Sequence, residues 1–208
     1  MLLNEYLDSP CSSLSIPYWK SKVIQIPQNI KIVHHSDFYD ELLNDYYDER
    51  YFRLIHYLAD VDNELPNEFC VKTANLSDIQ LIVETINNCY SDLSVSYEQI
   101  FSYTKTKVYD SYLWILVYES KTNQIVGCGI ADFDSEAKEG ILEWIQVLPQ
   151  YRGKQIGQLI VNQLLCRMKN ADFATVSGKV DNVTKPEKLY RKCGFVGNDI
   201  WHILHKKC

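Results

Sequence analysis

"GILEWIQVLPQYRGKQIGQLIVNQLLCRM", residues 140–168, sets the architecture. An apolar run rich in branched residues leads into a basic, glycine-bearing loop. An amphipathic run follows the loop. "GILEWIQVL" (140–148) reads as a strand. From about 156 to 169, Ile156, Leu159, Ile160, Leu164 and Met168 fall three or four residues apart along one face of a helix. Between them stands "PQYRGKQIG" (149–157). A loop that leaves a strand and opens a helix gathers unpaired backbone N–H groups and the positive end of the helix dipole at one point. Glycine lets a phosphate come close to the backbone, and Arg152 and Lys154 add charge. The stretch predicts an anion cradle. It is not a Walker loop, because Gly153-Lys154 is followed by Gln155 and no glycine stands five residues earlier. The dinucleotide pattern GxGxxG is absent too.

Outward from this stretch the pattern continues. "YLWILVYE" (112–119), "IVGCGIADF" (125–133) and 140–148 have short connections and predict an antiparallel meander. "FCVKTA" (69–74) is a further strand. Ser77-Asp78-Ile79-Gln80 reads as a capping box, with Ile79, Ile82, Val83, Ile86 and Tyr90 as the helical stripe behind it. Ser96-Tyr97-Glu98-Gln99 reads as a second one. Downstream, "FATVSGKV" (173–180) is a strand. The strand–loop–helix–strand order makes a crossover, so 141–147 and 173–179 are expected to run parallel. Thr184 is expected to cap a last helix with Pro186 in its first turn, and Gly194 to end it. "IWHILHK" closes the chain's strands. The sum is α+β: a mixed antiparallel and parallel sheet flanked by helices.

The first third reads differently. Residues 37–60 predict a helix, because Leu43, Tyr47, Tyr51, Leu54, Ile55 and Leu58 recur at three and four. Pro17 and Pro27 argue against a central strand around them. "NELPNE" (63–68) is a linker candidate. The chain therefore divides into an acidic, partly helical extension, 1–67, and a domain, 68–208.

Composition narrows the function. With 46% hydrophobic and 23% charged residues the chain is ordinary globular material. The net charge of −6 lies in the first third, where 11 acids face 5 bases; 68–208 is neutral. That balance disfavours nucleic acid and favours a cationic partner. No apolar run is long enough for a membrane span, and the N-terminus does not read as a signal peptide. Seven cysteines without CxxC spacing suit reduced thiols in the cytoplasm.

Two motifs together carry a family resemblance. Arg152-Gly153-Lys154-Gln155-Ile156-Gly157 resembles the acyl-coenzyme A loop of the GNAT superfamily of N-acetyltransferases, Q/R-x-x-G-x-G/A. "NVTKPEKLYRKCGF" (182–195) is similar to that family's later Asn…Leu-Tyr-x-Lys-x-Gly-Phe segment. The element order from 69 to 204 is the family's order. The resemblance implies the GNAT-like acyl-CoA N-acyltransferase fold, with acetyl-CoA as cofactor and a small-molecule or peptide amine as acceptor. It implies that Arg152, Gly153, Lys154, Gln155, Ile156 and Gly157 hold the pyrophosphate. It also implies that the backbone of Ile145, Gln146 and Val147 pairs with the pantetheine arm and that Asn182 adds a hydrogen bond. One departure stands out: the signature's first glycine is Gln155 here.

Acyl transfer to an amine needs a base for the amine and an acid for the departing sulfur. Strand alternation puts Glu143 on one face with Ile141, Ile145 and Val147, and a carboxylate on an apolar face suits a base. The resemblance points to Tyr190 as the acid; a core tyrosine is the plainer alternative. Cys128 and Cys193 read as buried thiols rather than nucleophiles. His202, His205 and Cys208 have ligand-like spacing, but a strand puts the two histidines on opposite faces, so no metal is expected. The reading is an N-acetyltransferase using direct attack in a ternary complex, the alternative a non-catalytic acyl-CoA-binding module. The acidic extension is expected to favour a cationic amine.

Overall fold

The computed structural model describes every residue except 62, 63, 65, 92 and 208. Cys208 and part of the linker candidate therefore fall outside the described residues. The class is α+β: the strands are mostly antiparallel, with one parallel pair, and helices flank them. The chain divides into two compact units, residues 1–57 with 175–208, and residues 58–174.

The 58–174 unit holds strands β3 (Phe69–Thr73), β4 (Tyr109–Glu119), β5 (Ile125–Asp134) and β6 (Glu139–Val147), with helices α4 (Ile79–Asn87), α5 (Tyr97–Tyr103) and α6 (Ile156–Arg167). The strands lie in the order β6-β5-β4-β3, each antiparallel to the next, so the expected meander is present. One face packs on α4 and α5 through Ile79, Ile82, Val83, Ile86, Ile100, Trp114, Leu116, Cys128 and Ile130, all buried. The stripe of α6 is buried throughout. Helix α6 can sit this close to the sheet because β5 offers glycine. A Cβ on Gly129 would lie 2.5 Å from the Ile160 side chain, and one on Gly127 3.1 Å from it.

Ser96 caps α5 by accepting from the Gln99 amide at 3.1 Å, as expected. The cap ahead of α4 falls two residues earlier than expected. Asn75 accepts from the Ser77 amide, and Asp78 accepts from the Asn75 amide, each at 2.9 Å. A single 3-10 turn, Leu76–Asp78, leads into α4 and moves the capping position back.

The other unit holds the short helices α1 (Leu3–Asp8), α2 (Pro10–Ser13) and α3 (Tyr18–Ser21), then β1 (Ile30–His34) and β2 (Tyr46–His56). Helix α7 (Pro186–Lys192) and strand β8 (Val196–Lys206) follow late in the chain. Strand β7 (Phe173–Lys179) enters it from residue 175. The order here is β1-β8-β2-β7. The helix expected over 37–60 is thus overturned: residues 46–56 are a strand paired along its length with β8, from Tyr46 opposite Lys206 to Ile55 opposite Val196. Aromatic and branched residues fit a pleated surface, and the partner strand overrides the helical spacing. Phe52 and Leu54 are buried, whereas Tyr47 is 66% exposed and Leu43 41% exposed. Pro27 precedes β1, the edge strand of this order, in keeping with the proline reading.

Candidate active site

After β6, residues 149–151 make one 3-10 turn and Arg152 is extended. Gly153 then takes φ +81° and Gln155 φ +61°, and α6 begins at Ile156. The amides of a helix's first turn have no intrahelical partner, so the start of α6 presents donors and the positive end of the dipole. A Cβ placed on Gly153 would meet no atom within 4 Å, so open space faces the loop there. The left-handed conformation of Gln155 gives the physical reason for a glycine at this point in the signature: only glycine adopts it without cost.

The two cations of the loop are already engaged. Arg152 donates from Nε to the Val147 carbonyl (3.3 Å) and from Nη2 to the Cys89 carbonyl (3.0 Å). It ties β6 to the end of α4, a role that sequence alone did not suggest. The Lys154 ammonium sits 5.0 Å from the centre of the Tyr151 ring.

Strand β6 carries a bulge. Trp144 pairs with Ile130 but Leu142 pairs with Ala131, leaving Glu143 as the extra residue. The alternation expected for this strand breaks there. Cross-strand partners share a face, so Ile145, opposite Gly129, and Val147, opposite Gly127, lie on one side; Ile141, opposite Asp132, lies on the other. The single apolar face drawn for Ile141, Glu143, Ile145 and Val147 is corrected accordingly. Glu143, Trp144 and Ile145 are half-buried. Gln146 is buried, and its Nε2 donates to the Tyr90 hydroxyl at 2.9 Å.

In the other unit, Tyr190 lies on α7, 8% exposed, between Phe52 at 6.2 Å and Phe195 at 5.7 Å between ring centres. The entry to α7 differs from expectation. Lys185, at φ +49°, occupies the cap position, and Thr184 instead binds Asn182. The Asn182 Oδ1 accepts from the Thr184 amide (2.9 Å) and hydroxyl (2.7 Å), which makes a tight turn into the helix. The turn leaves its Nδ2 group unused. Pro186 sits at the first helical position and Gly194, φ +90°, ends the helix, both as expected.

Burial pushes the Cys193 thiol up to about 12 and raises that of Cys128 further, which keeps both protonated and inert. His202 is buried and held at both nitrogens: Nδ1 to Asp48 Oδ2 at 2.9 Å, Nε2 to His35 Nδ1 at 3.0 Å. The two imidazole centroids lie 5.3 Å apart, close to the 3.0 Å contact plus two ring radii, so the nitrogens meet head-on in a hydrogen bond. Among the described residues no group of three or more His, Cys, Asp or Glu side chains is placed to hold a metal ion. Among them too, no helix is long and apolar enough to cross a membrane.

Residues 110–197, which span β4 to the start of β8, match the family model described as "Acetyltransferase (GNAT) domain". Over these residues the chain is similar to a GNAT acetyltransferase domain. Solved structures agree on the GNAT fold. A GCN5-related N-acetyltransferase from Sphaerobacter thermophilus superposes with a TM-score of 0.70 at 19% identity, over 86% of this chain and 58% of that one. The chain thus spans a little over half the length of that neighbour. A functionally unknown conserved protein from Staphylococcus epidermidis matches 100% of this chain and 82% of its own, at TM-score 0.61 and 12% identity. The ribosomal-protein-S18-alanine N-acetyltransferase from Escherichia coli matches 65% of this chain and 91% of its own, at TM-score 0.51 and 13% identity. No curated protein matches the chain.

Proposed function

We propose that this protein is a cytoplasmic N-acetyltransferase that moves an acetyl group from acetyl-CoA to a primary, cationic amine by direct attack in a ternary complex. The observation that carries the reading is the start of α6 inside the matched GNAT domain. There, first-turn amides, a glycine at φ +81° facing open space and the positive helix end coincide, directly after a bulged strand. These groups fit a pyrophosphate. When bound, acetyl-CoA supplies the activated thioester acetyl group.

The chain's own residues would then act as follows. Backbone amides from Ile156 onward, with Gly153 and Gln155, hold the anion. The backbone of Ile145, Gln146 and Val147 orients the amide-bearing arm, and Arg152 keeps Val147 in place. Glu143, the extra residue of the bulge, would take a proton from the ammonium group and free the lone pair with which nitrogen attacks the acyl carbon; the second N–H proton would pass to solvent as the C–S bond breaks. Tyr190 would give its own hydroxyl proton to the departing sulfur, and Asn182 would contribute its Nδ2. Acidic residues of the first third, Asp37, Asp40 and Glu41 among them, favour a cationic acceptor by long-range attraction.

A panel of polyamine, aminoglycoside, free lysine and peptide N-terminus, read by thiol release from acetyl-CoA, tests the reading. One neighbour's name, with its protein-alanine acceptor, is the reason to include the peptide. Turnover is expected with at least one amine. Glu143→Gln and Tyr190→Phe should each lower kcat by roughly 10²-fold, within the range for acid–base groups, while CoA affinity moves less than threefold. CoA binding without turnover on any amine would leave only the binding-module alternative. Absence of CoA binding in calorimetry would refute both.

A further inference from the structure

The last turn of α7 is closed in a specific way. The Gly194 amide donates to the Arg191 carbonyl and the Phe195 amide to the Tyr190 carbonyl, each at 3.1 Å. This is a Schellman motif, with Gly194 as its left-handed residue. The hydrophobic contact that accompanies such a motif is here the edge-on pair Tyr190–Phe195. Tyr190 is therefore fixed by its own helix end: shift the turn, and its ring moves.

Strand β2, from the first third of the chain, encloses that turn. Phe52 packs against Tyr190 and lies over β7, where a Cβ on Gly178 would come within 2.7 Å of the Phe52 ring. Four residues on, His56 is 5% exposed. Its imidazole hydrogen-bonds to the backbone of Cys193 and lies 5.2 Å from the Phe195 ring. A Cβ on Gly194 would stand 2.8 Å from its Nε2. So His56 touches the capping residue, the left-handed residue and the residue after it.

We propose that His56 is a positioning residue for Tyr190, holding the α7 turn from the N-terminal strand. The proposal rests on the reading of Tyr190 as the proton donor. Burial lowers the imidazole's proton affinity, so the ring works as a neutral wedge and hydrogen-bonding group. The first third of the chain would then contribute to the reaction through β2, besides any effect of its charge.

The test uses the full chain with 3-fluorotyrosine at position 190, read by fluorine NMR, alongside thiol release with the amine that gives turnover. His56→Leu keeps bulk and removes the hydrogen bond; His56→Gln keeps an N–H donor. His56→Leu should shift or split the fluorine resonance and lower kcat about tenfold, with KM for acetyl-CoA within twofold. His56→Gln should recover most of both. In a Tyr190→Phe background, His56→Leu should cost no further kcat. If His56→Leu does not fold, His56→Asn, a shorter donor, should give an intermediate resonance. An unmoved resonance with a lowered melting temperature, or equal effects of Leu and Gln, overturns the proposal. If Tyr190→Phe leaves kcat intact, the proton-donor reading fails, while the resonance still reports whether His56 places the ring.

Discussion

Replacing Gln155 by glycine should stabilise the protein. Gln155 has φ +61° and ψ +10° immediately before α6, and its side chain makes no capping bond. A residue with a Cβ costs roughly 1–2 kcal/mol in this conformation. Glycine removes that strain but gives the unfolded chain more freedom, which costs about 0.5–1 kcal/mol. The net gain is about 0.5–1 kcal/mol, a rise of roughly 1–4 °C in Tm for a chain of this size. Urea unfolding and differential scanning calorimetry on a Gln, Ala, Asn and Gly series measure it. The expected order is Gly above Asn, Asn above Ala, and Ala near Gln, because asparagine tolerates left-handed angles and alanine does not. The same series titrated with CoA shows whether the loop's strain weakens the cradle. If it does, the Gly variant's Tm rises further with saturating CoA than the parent's. A Gly variant less stable than Ala would refute the reasoning, since strain at φ +61° would then not be the quantity that differs.

Other outcomes follow from the same geometry. Arg152→Ala loses two carbonyl contacts and should destabilise by roughly 1–2 kcal/mol in urea, and Arg152→Lys should not restore it, because one ammonium cannot serve both carbonyls. Burial holds His56 below its ordinary value of 6.5, so the unfolded chain binds this proton first. Its contribution to stability is complete above that value and falls as pH drops toward the depressed folded value; His56→Gln should flatten this part of a pH series of unfolding curves. In native protein an alkylating reagent should reach the half-buried Cys70 and Cys166 before Cys128 and Cys193, whose thiols are held protonated; mass spectrometry of partial labelling reads the order.

Sequence made the elements from Phe69 to Lys206 legible wherever pattern and partner are local. The meander, the α6 stripe and the Gly194 stop all rest on neighbours a few residues apart. Strand β2 was not legible, because Tyr47, Tyr51, Leu54 and Ile55 fit a helical face as readily as a strand, and the arbiter, β8, lies some 150 residues away. The bulge at Glu143 is invisible to periodicity, since one inserted residue leaves no compositional mark. At the candidate site, the loop and its helix could be read from charge and glycine. The conformation of Gln155 could be anticipated only from the glycine that relatives of the loop carry there. The grip of Arg152 on Val147 and Cys89 and the place of His56 against Cys193 depend on tertiary contact and had no local signal.

The placement of β2 between β7 and β8 also bears on how the chain is made. Residues 46–56 leave the ribosome early, yet the strand they pair with is residues 196–206. At about 5–20 residues per second, a nascent β2 waits on the order of 10 s for its partner to be synthesised. Throughout that interval Phe52, Leu54 and Ile55, buried in the finished protein, have no sheet to enter. The 58–174 unit can fold while they wait, since its strands and helices are contiguous in sequence. The pairing of β2 with β8 can therefore form only after residues 58–174 have been synthesised.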